Sequence, residues 1–171
     1  MGGRFEIGAV VREGGMGVVF RAFDREAGRR CAVKTLLEAS KTYVDHRGGV
    51  DRFEREAELL SSLRHPAVVS YVAHGFHGSE PYLVMDWLDG EELGDRLARG
   101  PLSFADARDV AARIADALGA AHVLGIVHRD VKPSNIVLVA GDVTRATLID
   151  FGVARADVAS SRGRTRTGLV I

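Results

Sequence analysis

Between Arg4 and about Trp87 the apolar positions fall in short β-branched runs, "FEIGAVV", "GVVFRAF", "RRCAVKTLL", "VVSYVAHG" and "PYLVMDW", punctuated by Gly, Pro and Asp. Runs of this length with turn residues between them predict a five-stranded antiparallel sheet. One segment breaks the series: "VDRFEREAELLSSLRHP" has its apolar residues at helical spacing and stops against Pro66, whose ring cannot continue a helix. After a break at Gly90 the pattern turns helical, first in "EELGDRL" and then in "SFADARDVAARIADALGAAHVLG". In the second stretch Val110, Ile114 and Leu118 recur at intervals of four, and Ser103 stands as an N-cap with Asp106 three residues on. The expected class is therefore α+β. A β-rich unit with one long helix, residues 1–87, precedes an α-rich unit, residues 88–171, with the boundary between Met85 and Glu91.

Composition narrows the picture modestly. At 171 residues, 46% hydrophobic and 27% charged, the chain suffices for one sizeable core or two small ones. Lys plus Arg equal Asp plus Glu at 23 each, so no overall charge points to nucleic acid, a membrane surface or an acidic partner. Most of the basic residues are Arg, which draws attention to each Lys. Cys31 is the single cysteine, so no disulfide forms within the chain, and a reducing, cytoplasmic compartment fits. No apolar stretch approaches the length of a spanning helix.

Four exceptions to the pattern carry chemistry. "VREGGMGVVF" places Gly14, Gly15 and Gly17 between the first two strands, where missing Cβ atoms let backbone N–H groups approach an anion. The same glycines suit an ordinary hairpin turn, so the cluster alone leaves both readings open. Lys34 sits on a strand face with Ala32 and Leu36, and an ammonium there needs a partner. In the long helix, Glu56 shares the stripe of Phe53, Ala57, Leu60 and Leu63, whereas Glu54 and Glu58 point the other way. An inward carboxylate and an inward ammonium suggest an ion pair.

The third exception is "IVHRDVKPSNIVLV", expected as a loop between two short β runs. It gathers His128, Arg129, Asp130, Lys132 and Asn135. There Asp130 is suited to accept a proton, Lys132 to neutralise a phosphate, and Asn135 to offer a carbonyl oxygen to a hard cation. The fourth is "ATLIDFGVA", a strand expected to end in Asp150, a second oxygen ligand for magnesium beside Asn135.

These four segments, in this order and at these separations, resemble the eukaryotic-type protein kinases, along essentially the whole chain. "EGGMGVVFRA", "HRDVKPSN" and "RTRTGLVI" are similar in style to the bacterial Ser/Thr members. The resemblance implies a kinase-like fold with a five-stranded N-lobe and the upper part of an α-rich C-lobe. It also implies transfer of the ATP γ-phosphate to Ser or Thr hydroxyls of a protein substrate. By that resemblance Gly14, Gly15 and Gly17 cover the phosphates, Val19 and Ala32 lie over the adenine, and Lys34, held by Glu56, meets the α- and β-phosphates. Met85 takes the gatekeeper position, Asp86 to Leu88 form the adenine-bonding hinge, and Val137 lies under the base. Asp130 accepts the substrate proton, Lys132 marks the Ser/Thr subclass, and Asn135 and Asp150 hold Mg2+. Leu60, His128 and Phe151 match an apolar stack linking the lobes. Thr165 and Thr167 match sites of autophosphorylation, where a phosphate pairs with Arg129. A homodimer through the N-lobe is a further expectation.

Two departures qualify the resemblance. Where the loop pattern begins with Gly this chain has Arg12, and weaker or altered ATP binding is expected. The family's activation segment also continues past the point where this sequence reaches Ile171, so little activity is expected of residues 1–171 by themselves. An alternative is a catalytically impaired ATP-binding or regulatory module. The completeness of Lys34, Glu56, Asp130, Asn135 and Asp150 favours the enzyme.

Overall fold

The structure, a computed structural model, describes residues 3–14, 17–36 and 49–151. Gly15, Thr165 and Thr167, expected at the phosphate loop and as phosphorylation sites, lie outside the described residues. Strands β1 (Phe5–Gly14), β2 (Gly17–Asp24), β3 (Arg29–Thr35), β4 (Tyr71–His77) and β5 (Glu80–Asp86) form one antiparallel sheet in the order β1-β2-β3-β5-β4. Helix α1 (Gly49–Ser62) comes between β3 and β4 in the chain. A second, three-stranded sheet joins β6 (Gly90–Glu92), β7 (Ile136–Val139) and β8 (Ala146–Leu148). Helices α2 (Leu93–Ala98) and α3 (Phe104–Val123) accompany it.

The five-strand expectation holds, and burial follows the apolar pattern on both faces of β3. Cys31 and Val33 join Phe5, Ala22 and Val84 in one cluster. Leu36, in register with the other face, joins Phe53, Ala57 and Leu83 beneath α1. Both faces of a central strand are thus covered, which explains its nearly continuous apolar run. Phe53 is fully buried and meets Phe76 edge to face, with ring centroids 5.2 Å apart.

The β2–β3 turn is fixed by a buried carboxylate. Asp24 accepts from the backbone N–H groups of Glu26 and Ala27 at 3.1 and 3.3 Å. Arg4 grips the same carboxylate through two nitrogens at 3.0 and 2.8 Å. The Arg4 hydrogen bond, followed by those from the turn N–H groups, holds the Asp24 carboxyl down to about 2.

Helix α3 begins and ends by local chemistry. Ser103 Oγ accepts from the Asp106 N–H at 3.1 Å, as the N-cap expectation required. At the other end Gly125 adopts φ 73°, its N–H bonds the His122 carbonyl, and the Ile126 N–H bonds that of Ala121. This is a Schellman ending, with Ile126 folded back onto the core. The buried stripe is Val110, Ile114, Ala117 and Ala121, and the expected Leu118 is only partly buried beside it.

Four boundaries differ from the pattern reading. Val68 and Val69 are not part of β4. They run to the other sheet instead, where the Val69 N–H donates to Leu148 and the Leu148 N–H to Ala67. Glu91 and Glu92, read as helical, form β6 before α2 starts. Ile126 and Val127 form no strand before the His128 loop, because Ile126 is consumed in closing α3. Asp150 lies two residues beyond β8, in a left-handed conformation with φ 61°.

Candidate active site

A cavity of about 290 Å3 lies between the two sheets. Val19 comes from β2, Ala32 from β3 and Met85 from the end of β5, followed by Asp86, Trp87 and Leu88 of the connecting segment. Val137 of β7, Ile149 and Asp150 close it from the other side. Cross-strand register explains the gathering: Ala32 is opposite Met85, and Val19 is opposite Lys34. Six residues expected against a nucleotide base (Val19, Ala32, Met85, Asp86, Leu88 and Val137) therefore share one wall space.

Arginines from the sheet hold the connecting segment from outside. Arg29 pairs with Asp86, Arg30 with Asp89 at 3.0 Å, and the Arg21 guanidinium lies 4.7 Å from the Trp87 ring centroid. Trp87 Nε1 donates to Asp89 at 3.0 Å, and this bond, with that from Arg30, lowers the Asp89 carboxyl. These contacts are partly exposed, so each one is worth little, but together they fix the segment's orientation.

Glycine requirements differ within the β1–β2 hairpin. Gly17 has φ 137°, and a Cβ there would fall 1.7 Å from the Thr35 carbonyl oxygen. Its lack of a side chain thus serves close packing on β3. A Cβ on Gly14 would meet nothing within 4 Å.

Lys34 is 8% exposed, as the apolar-strand argument anticipated. Its Nζ lies 2.9 Å from Asp150 Oδ1, an ion pair that the sequence reading, which looked to Glu56, did not name. Glu56 is half-buried on α1, while Glu54 and Glu58 are exposed, as the helical stripe predicts. The left-handed turn at Asp150 brings a carboxylate into the cavity wall beside a cation that burial obliges to pair.

The loop before β7 is a closed hydrogen-bond cluster. Lys132 Nζ is 2.8 Å from Asp130 Oδ2. Asn135 Nδ2 donates to the Asp130 carbonyl at 2.9 Å and to its Oδ2 at 3.1 Å. These side-chain bonds of Asn135 run through Nδ2 and do not use Oδ1. A short 3-10 turn, Pro133–Asn135, sets this spacing. His128, 1% exposed, anchors the loop: its Nδ1 accepts from the Asp130 N–H at 3.3 Å, and its Nε2 donates to the Ile149 carbonyl at 2.9 Å. Burial pushes His128 below its ordinary range, which keeps the ring neutral and suited to accept at one nitrogen and donate at the other. Its ring meets Phe151 with centroids 4.7 Å apart. Leu60 packs against both the α1 and α3 clusters, so the three residues expected to link the lobes do lie along the seam.

The Ile149 N–H also donates to the Asn135 carbonyl at 2.9 Å. Ile149 therefore ties the Asp130 cluster to the cavity wall on both its polar groups. One amide oxygen and one carboxylate, Asn135 and Asp150, make a hard-oxygen set of the kind magnesium accepts when phosphate and water fill the remaining positions. Among the described residues no three His, Cys, Asp or Glu converge on a point, so no all-protein metal cage is present there.

Sequence reasoning did not single out Val69, Glu92 or Ile149 at the cavity. All three are ordinary residues of β-like stretches, and only the pairing of the two sheets gives them a role.

A glycine-bearing hairpin, a buried lysine paired to an acid and an Asp-Lys-Asn loop stand around one cavity, an arrangement of the kind used in phosphoryl transfer. Residues 5–169 match the protein kinase domain family, and the chain belongs to that family. It is 39% identical over 163 residues to the serine/threonine-protein kinase pkn2 of Myxococcus xanthus, covering 93% of this chain and 19% of that protein. It is 37% identical to the serine/threonine-protein kinase PknA of Mycobacterium tuberculosis, covering 100% of this chain and 39% of the relative. The chain thus spans well under half the length of these relatives. Among solved structures, the Mycobacterium tuberculosis PknI kinase domain superposes with a TM-score of 0.76 at 26% identity, covering 89% of this chain and 59% of that one. Rad53 1-466, crystallised in complex with AMP-PNP, gives 0.75 at 30% identity, covering 88% and 38%. No helix among the described residues is long and apolar enough to cross a membrane.

Proposed function

We propose that the protein of which this chain is part is a Ser/Thr protein kinase that transfers the γ-phosphate of Mg-ATP to a hydroxyl of a protein substrate. The observation that carries this reading is the Asp130 cluster, joined through Ile149 to an apolar cavity whose wall includes Asp150. Adenine fits between Ala32 and Val137. Its edge faces the backbone of Asp86 to Leu88, and the phosphates lie toward Lys34 and Asp150. Asn135 Oδ1 and the Asp150 carboxylate would hold Mg2+, whose charge offsets that on the phosphates. Asp130 orients the acceptor hydroxyl and takes its proton, while Lys132, 2.8 Å from Asp130, neutralises the transferred group.

The test is transfer of labelled γ-phosphate to a Ser/Thr peptide by the whole protein. Asp130→Asn should lower kcat by about 10^2- to 10^4-fold with KM for ATP nearly unchanged, since the side chain acts on the hydroxyl and not on the nucleotide. An unchanged kcat would remove Asp130 from the chemistry.

A second reading, an ATP-binding or regulatory module without catalysis, is favoured by one observation: Lys34 is engaged with Asp150, the carboxylate assigned to magnesium. That module would bind Mg-ATP and transfer no phosphate in the same assay.

A further inference from the structure

Arg12, the residue that departs from the glycine pattern, is the point at which the five-stranded sheet reaches across the cleft. It is half-buried on β1 opposite Val19, just after a register shift between Val10 and Arg12. Its Nη1 lies 3.2 Å from Glu92 Oε1 at the end of β6. The same nitrogen donates to the Ser134 carbonyl at 3.2 Å, in the turn between Lys132 and Asn135. Arg12 and Glu92 both line the cavity that also contains Ala32 and Val137. One side chain of the upper sheet is therefore fastened to two acceptors of the lower half, over the space assigned to a nucleotide.

The cavity wall includes three carboxylates, and each is paired with a cation: Asp86 with Arg29, Asp150 with Lys34 and Glu92 with Arg12. Glu92 differs from the other two because its cation also lines the cavity. A nucleoside between Ala32 and Val137, with phosphates toward Asp150, presents sugar hydroxyl donors to that wall. Those donors need acceptors, and a buried hydroxyl left without one is costly. The Glu92 carboxylate and the Ser134 carbonyl are such acceptors, and the guanidinium holds both.

We propose that Arg12 is a latch of the nucleotide cleft, whose bridge to Glu92 and Ser134 must be released when the nucleoside sugar enters. This rests on the nucleotide reading of the cavity. Binding then draws on the unlatched fraction of molecules, and the apparent affinity falls by that fraction. The bridge is one half-exposed ion pair plus one hydrogen bond to a neutral carbonyl, so the weakening is about two- to fivefold. It is also partly screened by salt.

The test is calorimetric titration of this chain and its Arg12→Gln and Arg12→Gly variants with adenosine and, separately, Mg-ATP. Adenosine has no charge, so it isolates the latch from any attraction of Arg12 for phosphate. Both variants should bind adenosine about two- to fivefold more tightly than the unaltered chain. Raising NaCl from about 50 to 500 mM should narrow that difference as the ion pair is screened. Equal or weaker adenosine binding by both variants overturns the latch. So does a selective loss of Mg-ATP affinity with adenosine unaffected, which would make Arg12 a phosphate contact. If neither ligand binds any of the three proteins, the nucleotide reading itself falls, and the latch with it.

Discussion

At the scale of single residues, the features most legible in the sequence were charges placed where apolar residues should be. Lys34 on β3 is buried and paired because an ammonium on a covered strand face has no other stable state. Its pairing with Asp150 was not legible. The left-handed turn that brings the Asp150 carboxylate beside Lys34 has no signature in the residue types around it. His128 shows the converse. Its burial between Ile149 and Phe151 follows from the meeting of two segments more than twenty positions apart.

That burial has a pH consequence. The folded-state pKa of His128 lies below its ordinary 6.5, so between the two values the unfolded chain binds the extra proton. The contribution to stability is complete above about pH 6.5 and declines as the pH falls below it. Denaturant titrations from pH 7.5 down to 5 should show this decline in the parent chain and a flatter profile in His128→Gln. Identical profiles would contradict a buried neutral imidazole. Asp24 adds a separate loss at lower pH, between its ordinary 3.8 and about 2, where protonation releases Arg4.

At the scale of elements, periodicity located every strand of the larger sheet and both ends of α3, because burial on one face and capping are local demands. In the smaller sheet the runs "IVLV" and "ATLID" marked β7 and β8, but β6 was missed. β6 is three residues long, too short for any alternation to register, and it exists because β7 pairs with it. The displaced Val68 and Val69 have the same origin: a β-branched pair reads as strand, yet it is drawn to Leu148 across the seam.

The β1–β2 hairpin yields an element-scale prediction. Glycine at 17 is required by the Thr35 carbonyl, whereas glycine at 14 meets open space. Gly17→Ala should therefore destabilise the chain by about 2 kcal/mol or more, through backbone displacement and a strained φ. Gly14→Ala should cost under about 1 kcal/mol. Chemical denaturation of the two variants reads the difference directly. Equal costs would mean that the hairpin does not pack on β3 as described.

At the scale of the whole molecule, the two sheets meet through backbone bonds and several long side chains, Arg12, Lys34 and Arg113 among them. The Val69 N–H donates to the Leu148 carbonyl and the Leu148 N–H to that of Ala67, and Arg113 of α3 reaches both the Pro66 and Ala146 carbonyls, at 2.7 and 2.8 Å. The cavity is what this junction leaves open, and its lining is the part of the site most fully foreseen from the motifs. Its polar rim was not foreseen, because Arg12, Glu92 and Ser134 lie far apart in sequence and only the junction brings them together.

The central claim is that this cavity binds Mg-ATP with the base between Ala32 and Val137. Ala32→Phe would fill the roughly 290 Å3 space with an aromatic ring while leaving Lys34, Asp130, Asn135 and Asp150 in place. The decisive measurement is a calorimetric titration of the unaltered chain and Ala32→Phe with Mg-ATP, with circular dichroism to verify that both are folded. Saturable one-to-one binding by the first, reduced at least about tenfold in the second, is the expected result. Equal affinity in two folded proteins would place the nucleotide elsewhere and contradict the account.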